Sequence, residues 1–241
     1  MVKIDINCDM GEGMNNDALI MPYISSANIA CGKHAGNRET MRETVLLAKK
    51  HGVKVGAHPS FDDKENFGRT EMKIPLSDLY EIVIQQIEEI ELICSFSGWK
   101  MHHVKPHGAL YNMAAKNKRM ATVIAMAVKT VRPDLILYGL SGSYLISEAQ
   151  AYGLKTASEV FADRTYQDDG SLTPRTESNA LIESEEQSIQ QVLKVIEHGT
   201  VTSVSGKEIK LQADTICIHG DGVHALSFAK NIYETLKMTT D

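Results

Sequence analysis

No stretch of this sequence approaches the roughly 20 consecutive apolar residues that a membrane-spanning helix needs, and its first residues, Met1-Val2-Lys3-Ile4-Asp5, carry no secretory signal pattern. Both absences lead us to expect a cytoplasmic protein with no membrane partner. An excess of positive charge is missing too. Lys and Arg number 25 against 31 Asp and Glu, a formal charge of -6, which offers no electrostatic reason to bind nucleic acid. Cysteine is scarce: Cys8, Cys31, Cys94 and Cys217 form no C-x-x-C pair and no metal-type spacing. Three of them lie in apolar strands, where reduced cysteine acts as a small hydrophobe. There is no G-x-x-x-x-G-K-[ST] sequence, so any nucleotide here is not held by a P-loop. Linker-like stretches and breaks in composition are also lacking. With 43% hydrophobic and 23% charged residues, the economical reading is a single domain over residues 1–241.

What is present is a repeated grammar of apolar strand, polar turn and amphipathic helix. Strands are expected at residues 2–8, 26–31, 53–57, 101–105, 135–140, 155–161 and 214–218. Asn37 is placed to cap the helix after the second strand, with Gly52 just past its end, and Ser77 is placed to cap a long helix after the third. Ser184-Glu185-Glu186-Gln187 matches a capping box. A small β-hairpin insertion is expected near residues 200–211, around Ser205-Gly206-Lys207. Two long polar loops, 61–75 and 167–182, interrupt the pattern, and loops of that length in a compact fold are usually functional or disordered.

Nearly every strand ends in ionisable chemistry: Asp9, His34, His58, Lys105 with His107, Asp163 with Arg164, and His219 with Asp221. An open doubly wound sheet needs such groups at one switch point only. Groups from all the strands converge only if the sheet closes, so the expected fold is a seven-stranded, TIM-like (β/α) barrel. His51, His102, His198 and His224 lack this placement and read as ordinary core or loop residues. His103 and His107 form an H-x-x-x-H pair, but four residues of strand cover roughly 13 Å, too far for one ion. Lys105 inside a strand needs a buried partner charge, for which Asp9 and Asp163 are the candidates. Four imidazoles with Asp9 suit acid–base work or a divalent metal, with Asp9, His34 and His58 as possible ligands. Ser141-Gly142-Ser143 suits either a phosphate cradle or a short turn.

Seven motifs in order then resemble the LamB/YcsF family: Asn7 through Gly13, Ser26 through Gly32 with His34-Ala35-Gly36, Gly56-Ala57-His58-Pro59, Phe67-Gly68-Arg69, His103 through Tyr111, Glu159 through Arg164, and His219-Gly220-Asp221. The shorter turn after Gly13, and Asn37 where the family commonly has aspartate, are departures from its pattern. The resemblance implies a barrel of the glycoside hydrolase/deacetylase type. It also implies a hydrolase that, with ATP and Mg2+, opens 5-oxo-L-proline to L-glutamate as the A component of a multisubunit 5-oxoprolinase, with partner subunits B and C. Asp9, Glu12, Asn28, His34, His58, Lys105, His107, Asp163, Arg164 and His219 occupy family motif positions.

On this reading Lys105 and Arg164 hold phosphate or the substrate carboxylate, and Glu12, Asn28, His34, Arg69 and Asp163 complete the binding set. Asp9 or His107 deprotonates water, and His58 or His219 protonates the ring nitrogen. Two alternatives stand beside it. One is a metal-dependent deacetylase or carbohydrate hydrolase, against which the missing Thr-Phe-Asp-Asp stretch counts. The other is a non-catalytic component that only binds an activated substrate.

Overall fold

The computed structural model of the chain describes residues 4–220 and 225–240. Met1, Val2, Lys3, Asp221 and His224, named above, lie outside the described residues. In chain order the first half runs β1 (Asp5–Met10), α1 (Asp17–Ile20), β2 (Ser26–Ala30), α2 (Arg38–His51), β3 (Lys54–His58), α3 (Leu76–Phe96) and β4 (Met101–Val104). It continues with α4 (Gly108–Lys116), α5 (Lys118–Val131), β5 (Ile136–Leu140), α6 (Tyr144–Ala151) and β6 (Lys155–Phe161). The last part is α7 (Glu185–His198), β7 (Thr200–Thr202), β8 (Glu208–Lys210), β9 (Thr215–Ile218) and α8 (Ala225–Thr240). Seven of the strands, β1 to β6 and β9, pair in parallel and close into a barrel, with β9 bonded to both β6 and β1. The antiparallel pair β7–β8 stands outside it. No described helix is long and apolar enough to cross a membrane.

Local chemistry explains most helix boundaries. Asn37 Oδ1 accepts from the backbone N–H groups of Glu39 and Thr40 at 2.9 and 3.0 Å, and Gly52 closes α2 in the left-handed conformation. The long helix α3 departs from expectation, because Ser77 is not its cap. Pro75, whose ring disfavours helix in the residue before it, sets the boundary. The helix starts at Leu76, and Ser77 Oγ donates instead to Asp78.

Strand side chains alternate between two faces. One set, including Ile6, Cys8, Ala27, Ile29, Val55, Val104, Leu137, Val160 and Ile216, belongs to the buried hydrophobic cluster between barrel and helices. The other set fills the barrel and is polar: Asp5, Asn7, Asp9, Ser26, Asn28, His103, Tyr138, Glu159 and Thr215, each with a partner. Near the amino end, Ser26 and Thr215 donate to Asp5 at 2.7 and 2.8 Å. One layer up, Asn28 Nδ2 donates to Asn7 and Asp9 at 2.7 and 2.8 Å, while its Oδ1 accepts from His103 Nε2 at 2.7 Å. The His103 ring stacks on Tyr138 at 4.1 Å. Gly56 makes room for it, since a Cβ there would meet the imidazole at 2.2 to 2.6 Å. Buried polar groups are tolerated only when paired, so this interior is a bonded network that fixes the groups above it.

Candidate functional site

The carboxyl ends of the strands surround a cavity of about 540 Å³ whose lining includes Asp9, His58, Arg69, Lys105, His107, Phe161, Arg164 and His219. Both long loops contribute to its mouth, the first through Arg69 and Glu71 and the second through Ser171 to Thr176. Residues from opposite ends of the chain therefore meet in one place, as closure of the sheet requires.

At the floor lies Lys105, only 2% exposed. Its Nζ is 2.9 Å from Asp9 Oδ1, 3.0 Å from Glu159 Oε1, 3.3 Å from Asn7 Oδ1 and 3.0 Å from Cys217 Sγ. Burial alone would push the ammonium pKa down, but Asp9 and Glu159 outweigh it and hold the group well above the usual lysine range. For Asp9 the balance is similar. Burial raises its carboxyl pKa, and His58 and Lys105 outweigh that, keeping it well below the usual carboxylate range. Of the two expected partners of Lys105, Asp9 is present and Asp163 is not; Glu159 takes its place. The lysine's protons are directed at these acceptors, so it acts here as a counter-ion to two buried carboxylates. Tyr111 Oη donates to the other oxygen of Glu159 at 2.7 Å.

Three histidines and a glutamate form a second cluster beside Asp9. His34 Nε2 lies 3.0 Å from Glu12 Oε1, His107 Nδ1 lies 2.9 Å from His58 Nε2, and Glu12 Oε1 is 3.6 Å from His107 Nδ1. The His34 and His107 rings stack at 3.7 Å, within 6° of parallel. One ligand-type atom from each of the four residues lies within 4.8 Å of all the others, so the cluster can hold a metal ion. The carboxylate in it is Glu12 rather than the expected Asp9, because the turn at Gly11 and Gly13, both with positive φ, folds Glu12 back over the barrel mouth. Asp9 Oδ2 sits 3.3 Å from His58 Nε2 and belongs instead to a separate group with Cys217 and His219. Burial pushes the His34 imidazole pKa down to about 3 and that of His107 well below the ordinary histidine value.

Across the cavity, Asp163 is bonded to His219 and not to Lys105. Its carboxylate accepts from His219 N at 3.0 Å and from the ring Nδ1 at 2.9 Å. Burial raises the Asp163 pKa, and the His219 contacts bring it below the usual value. With Nδ1–H fixed on a carboxylate, Nε2 is the ring atom left to exchange a proton. Arg164 donates to the carbonyls of Ala180 and Thr173, which ties the second loop to the end of β6. Arg69 lies over the Phe67 ring at 4.8 Å. Asn28 sits beneath Asp9, inside the barrel. Sequence reasoning passes over Glu159, Tyr111, Asn7 and Ser60 as individual site residues. A glutamate within an apolar strand is the available signal for the first.

Comparison with known proteins sets this geometry in context. The sequence model of the LamB/YcsF family matches residues 4–240. The A component of the 5-oxoprolinase from Brevibacillus brevis is 52% identical over 241 residues, covering 98% of this chain and 95% of the relative. The corresponding protein from Bacillus cereus is 50% identical over 243 residues, covering 98% and 96%. Among solved structures, the lactam utilization protein from Thermus thermophilus matches with a TM-score of 0.92 at 39% identity, covering 99% of this chain and 97% of that one.

Proposed function

The chain belongs to the LamB/YcsF family, and from that premise we propose that it opens a five-membered lactam, 5-oxo-L-proline, to L-glutamate at the expense of ATP, as the A component of a complex with subunits B and C. The observation that carries this reading is the single cavity in which a buried Asp9–Lys105–Glu159 ion group, a His219–Asp163 pair and arginines face one another. The cavity is far larger than the lactam alone, which leaves room for a phosphorylated species. All four cysteines are buried and unpaired, which suits a reducing, cytoplasmic setting.

A lactam is a resonance-stabilised amide that water opens slowly. Transfer of the terminal phosphoryl group of ATP to the carbonyl oxygen weakens that resonance, and ADP leaves. Water then adds to the carbon and gives up a proton. The ring C–N bond breaks as the nitrogen takes a proton, and a second water releases phosphate from the acyl phosphate that remains. Arg164 and Arg69, on the cavity wall, neutralise the substrate carboxylate or the phosphate by charge-assisted hydrogen bonds. Asp9, held ionised by Lys105, accepts a hydrogen bond from the attacking water and orients it. His219, positioned by Asp163, carries the proton to the nitrogen. Mg2+ would accompany ATP and offset the charge of its phosphates.

The direct test is 5-oxoproline-dependent ATP hydrolysis, measured for the isolated chain, for B and C together, and for all three. The chain alone is expected to be inactive and the mixture to require it. Turnover by B and C at the full rate without this chain would refute the assignment. If the chain serves only to bind an activated substrate, His219→Ala will leave turnover unchanged; we expect a loss of about 10²- to 10⁴-fold, as for removal of a general acid.

A further inference from the structure

We propose that Arg164 and Arg175 form a subsite for a phosphoryl dianion where the second loop meets the end of β6. Only the identity of the phosphorylated species that arrives there rests on the lactam reading. Arg164 follows β6 and is 3% exposed, yet it lines the cavity. Its Nε and Nη2 donate to the carbonyls of Ala180 and Thr173. Among the described residues its Nη1 has no partner, and no carboxylate stands within ion-pair distance of the guanidinium. Arg175, half-buried on the loop, lines the same cavity and has no hydrogen bond or ion pair among the described residues.

A buried arginine is ordinarily paired with a carboxylate, because an uncompensated charge away from water is costly. Two carbonyls satisfy some of the Arg164 donors but bring no net negative charge. A second guanidinium in the same cavity adds repulsion. Burial, and after it the charge of Arg175, push the Arg164 pKa down to about 10, which still leaves it charged at neutral pH. Losing a proton is therefore no remedy, and a bound anion is. The two carbonyl contacts hold the Arg164 fork in place beforehand, so little ordering remains to be done when the anion binds.

The charges around the cavity select which anion. Its lining carries five lysine and arginine side chains against two acids, Asp9 and Glu71. Lys105 is already spent on Asp9 and Glu159, and Asp9 repels an anion from the floor. The phosphate contact expected of Lys105 therefore passes to Arg175. Two guanidiniums match a phosphoryl group, which carries about -1.5 to -2 at neutral pH; the carboxylate of a lactam acid carries a single charge. Planar guanidinium forks also suit paired bonds to phosphate oxygens. The substrate carboxylate is then left to Arg69, on the first loop.

The test titrates the full chain by calorimetry with inorganic phosphate and, in a separate arm, with ATP and Mg2+, at constant ionic strength. We expect one phosphate per chain; the tighter of the two arms identifies free phosphate or a nucleotide as the source. Arg175→Ala, checked for folding by circular dichroism, should weaken binding about 10- to 100-fold, as loss of charge-assisted hydrogen bonds does. Arg175→Lys, which keeps the charge and loses the fork, should recover part of it. Arg42→Ala, on the exposed side of α2 and outside the cavity lining, should bind as the parent does. Folded parent protein that takes up neither ligand would overturn the subsite, as would binding that Arg175→Ala leaves unchanged. Acetate that competes as well as phosphate would overturn the phosphoryl assignment. Because neither lactam nor partner subunits are present, the outcome is separate from that of the lactam reading. Phosphate bound through Arg175, with no 5-oxoproline-dependent turnover in the reconstituted complex, would sink that reading and leave the subsite standing.

Discussion

Lys105 shows how much rests on single side chains. It neutralises two buried carboxylates, Asp9 and Glu159, and removing one partner of a buried ion pair leaves uncompensated charge costing about 3–5 kcal/mol. Lys105→Met should lower stability by about that amount in urea denaturation and abolish turnover in the reconstituted complex. Adding Glu159→Gln, which removes one stranded charge, should restore part of the stability and none of the turnover. If the double variant is no more stable than the single one, the coupling assigned to the pair is absent. His103 sets a pH dependence. Fully buried, it is held neutral, because burial pushes its pKa well below the ordinary value. The unfolded chain, with a histidine pKa near about 6.5, binds a proton there that the native chain refuses. Stability is thus present above about pH 6.5 and falls with acidification, by up to about 1.4 kcal/mol per pH unit from this residue. His103→Gln keeps a donor for Asn28, so comparing urea midpoints at about pH 7.5 and about 5.5 should show a shallower slope in the variant. Equal slopes would remove His103 from the account.

Among elements, the loop 61–75 is tied to the site by a handful of hydrogen bonds. The Gly68 carbonyl accepts from Ala109 N at 2.9 Å, the Phe67 carbonyl holds His107, and Asp63 accepts from Asn66 and Thr70 at 2.7 and 3.1 Å. The loop thus rides on the start of α4, at Gly108. A Cβ on Gly108 would meet the Gly68 carbonyl oxygen at 2.5 Å, at a backbone φ of +54°. Gly108→Ala should therefore displace the loop while sparing the barrel. We expect a stability loss of about 1–2 kcal/mol from the strained conformation, a larger fall in turnover, and faster proteolytic cleavage within 61–75. Unchanged cleavage there with reduced turnover would mean that the loop did not move.

The whole molecule depends on closure. Because β9 bonds to β1 and β6, the last core strand seals the ring, bringing His219 to the cavity and Cys217 to Lys105. A chain ending at residue 212 would expose two strand edges and open the polar interior to water. It should show no cooperative thermal transition by circular dichroism; a sharp transition in that fragment would show that the first six strands suffice. At the same scale, the cavity opens between two loops rather than lying in a sealed chamber.

Much of this is legible in the linear chain. Apolar periodicity and the glycine, proline and asparagine punctuation are local properties, so seven strands, the capping of α2 by Asn37 and the polar strand ends can all be read directly. Even closure follows, since polar groups at nearly every strand end have no common meeting place in an open sheet. Contacts between side chains are a different matter. Which carboxylate reaches Lys105, whether Asp163 serves the lysine or His219, and that Glu12 rather than Asp9 completes the histidine cluster depend on how strands and turns far apart in the chain are set against one another. A shift of one residue in strand register turns each side chain to the opposite face, and nothing local to the chain encodes it. Tautomers lie further out of reach, because a ring's proton goes wherever a folded acceptor stands, and those acceptors exist only once the barrel has closed.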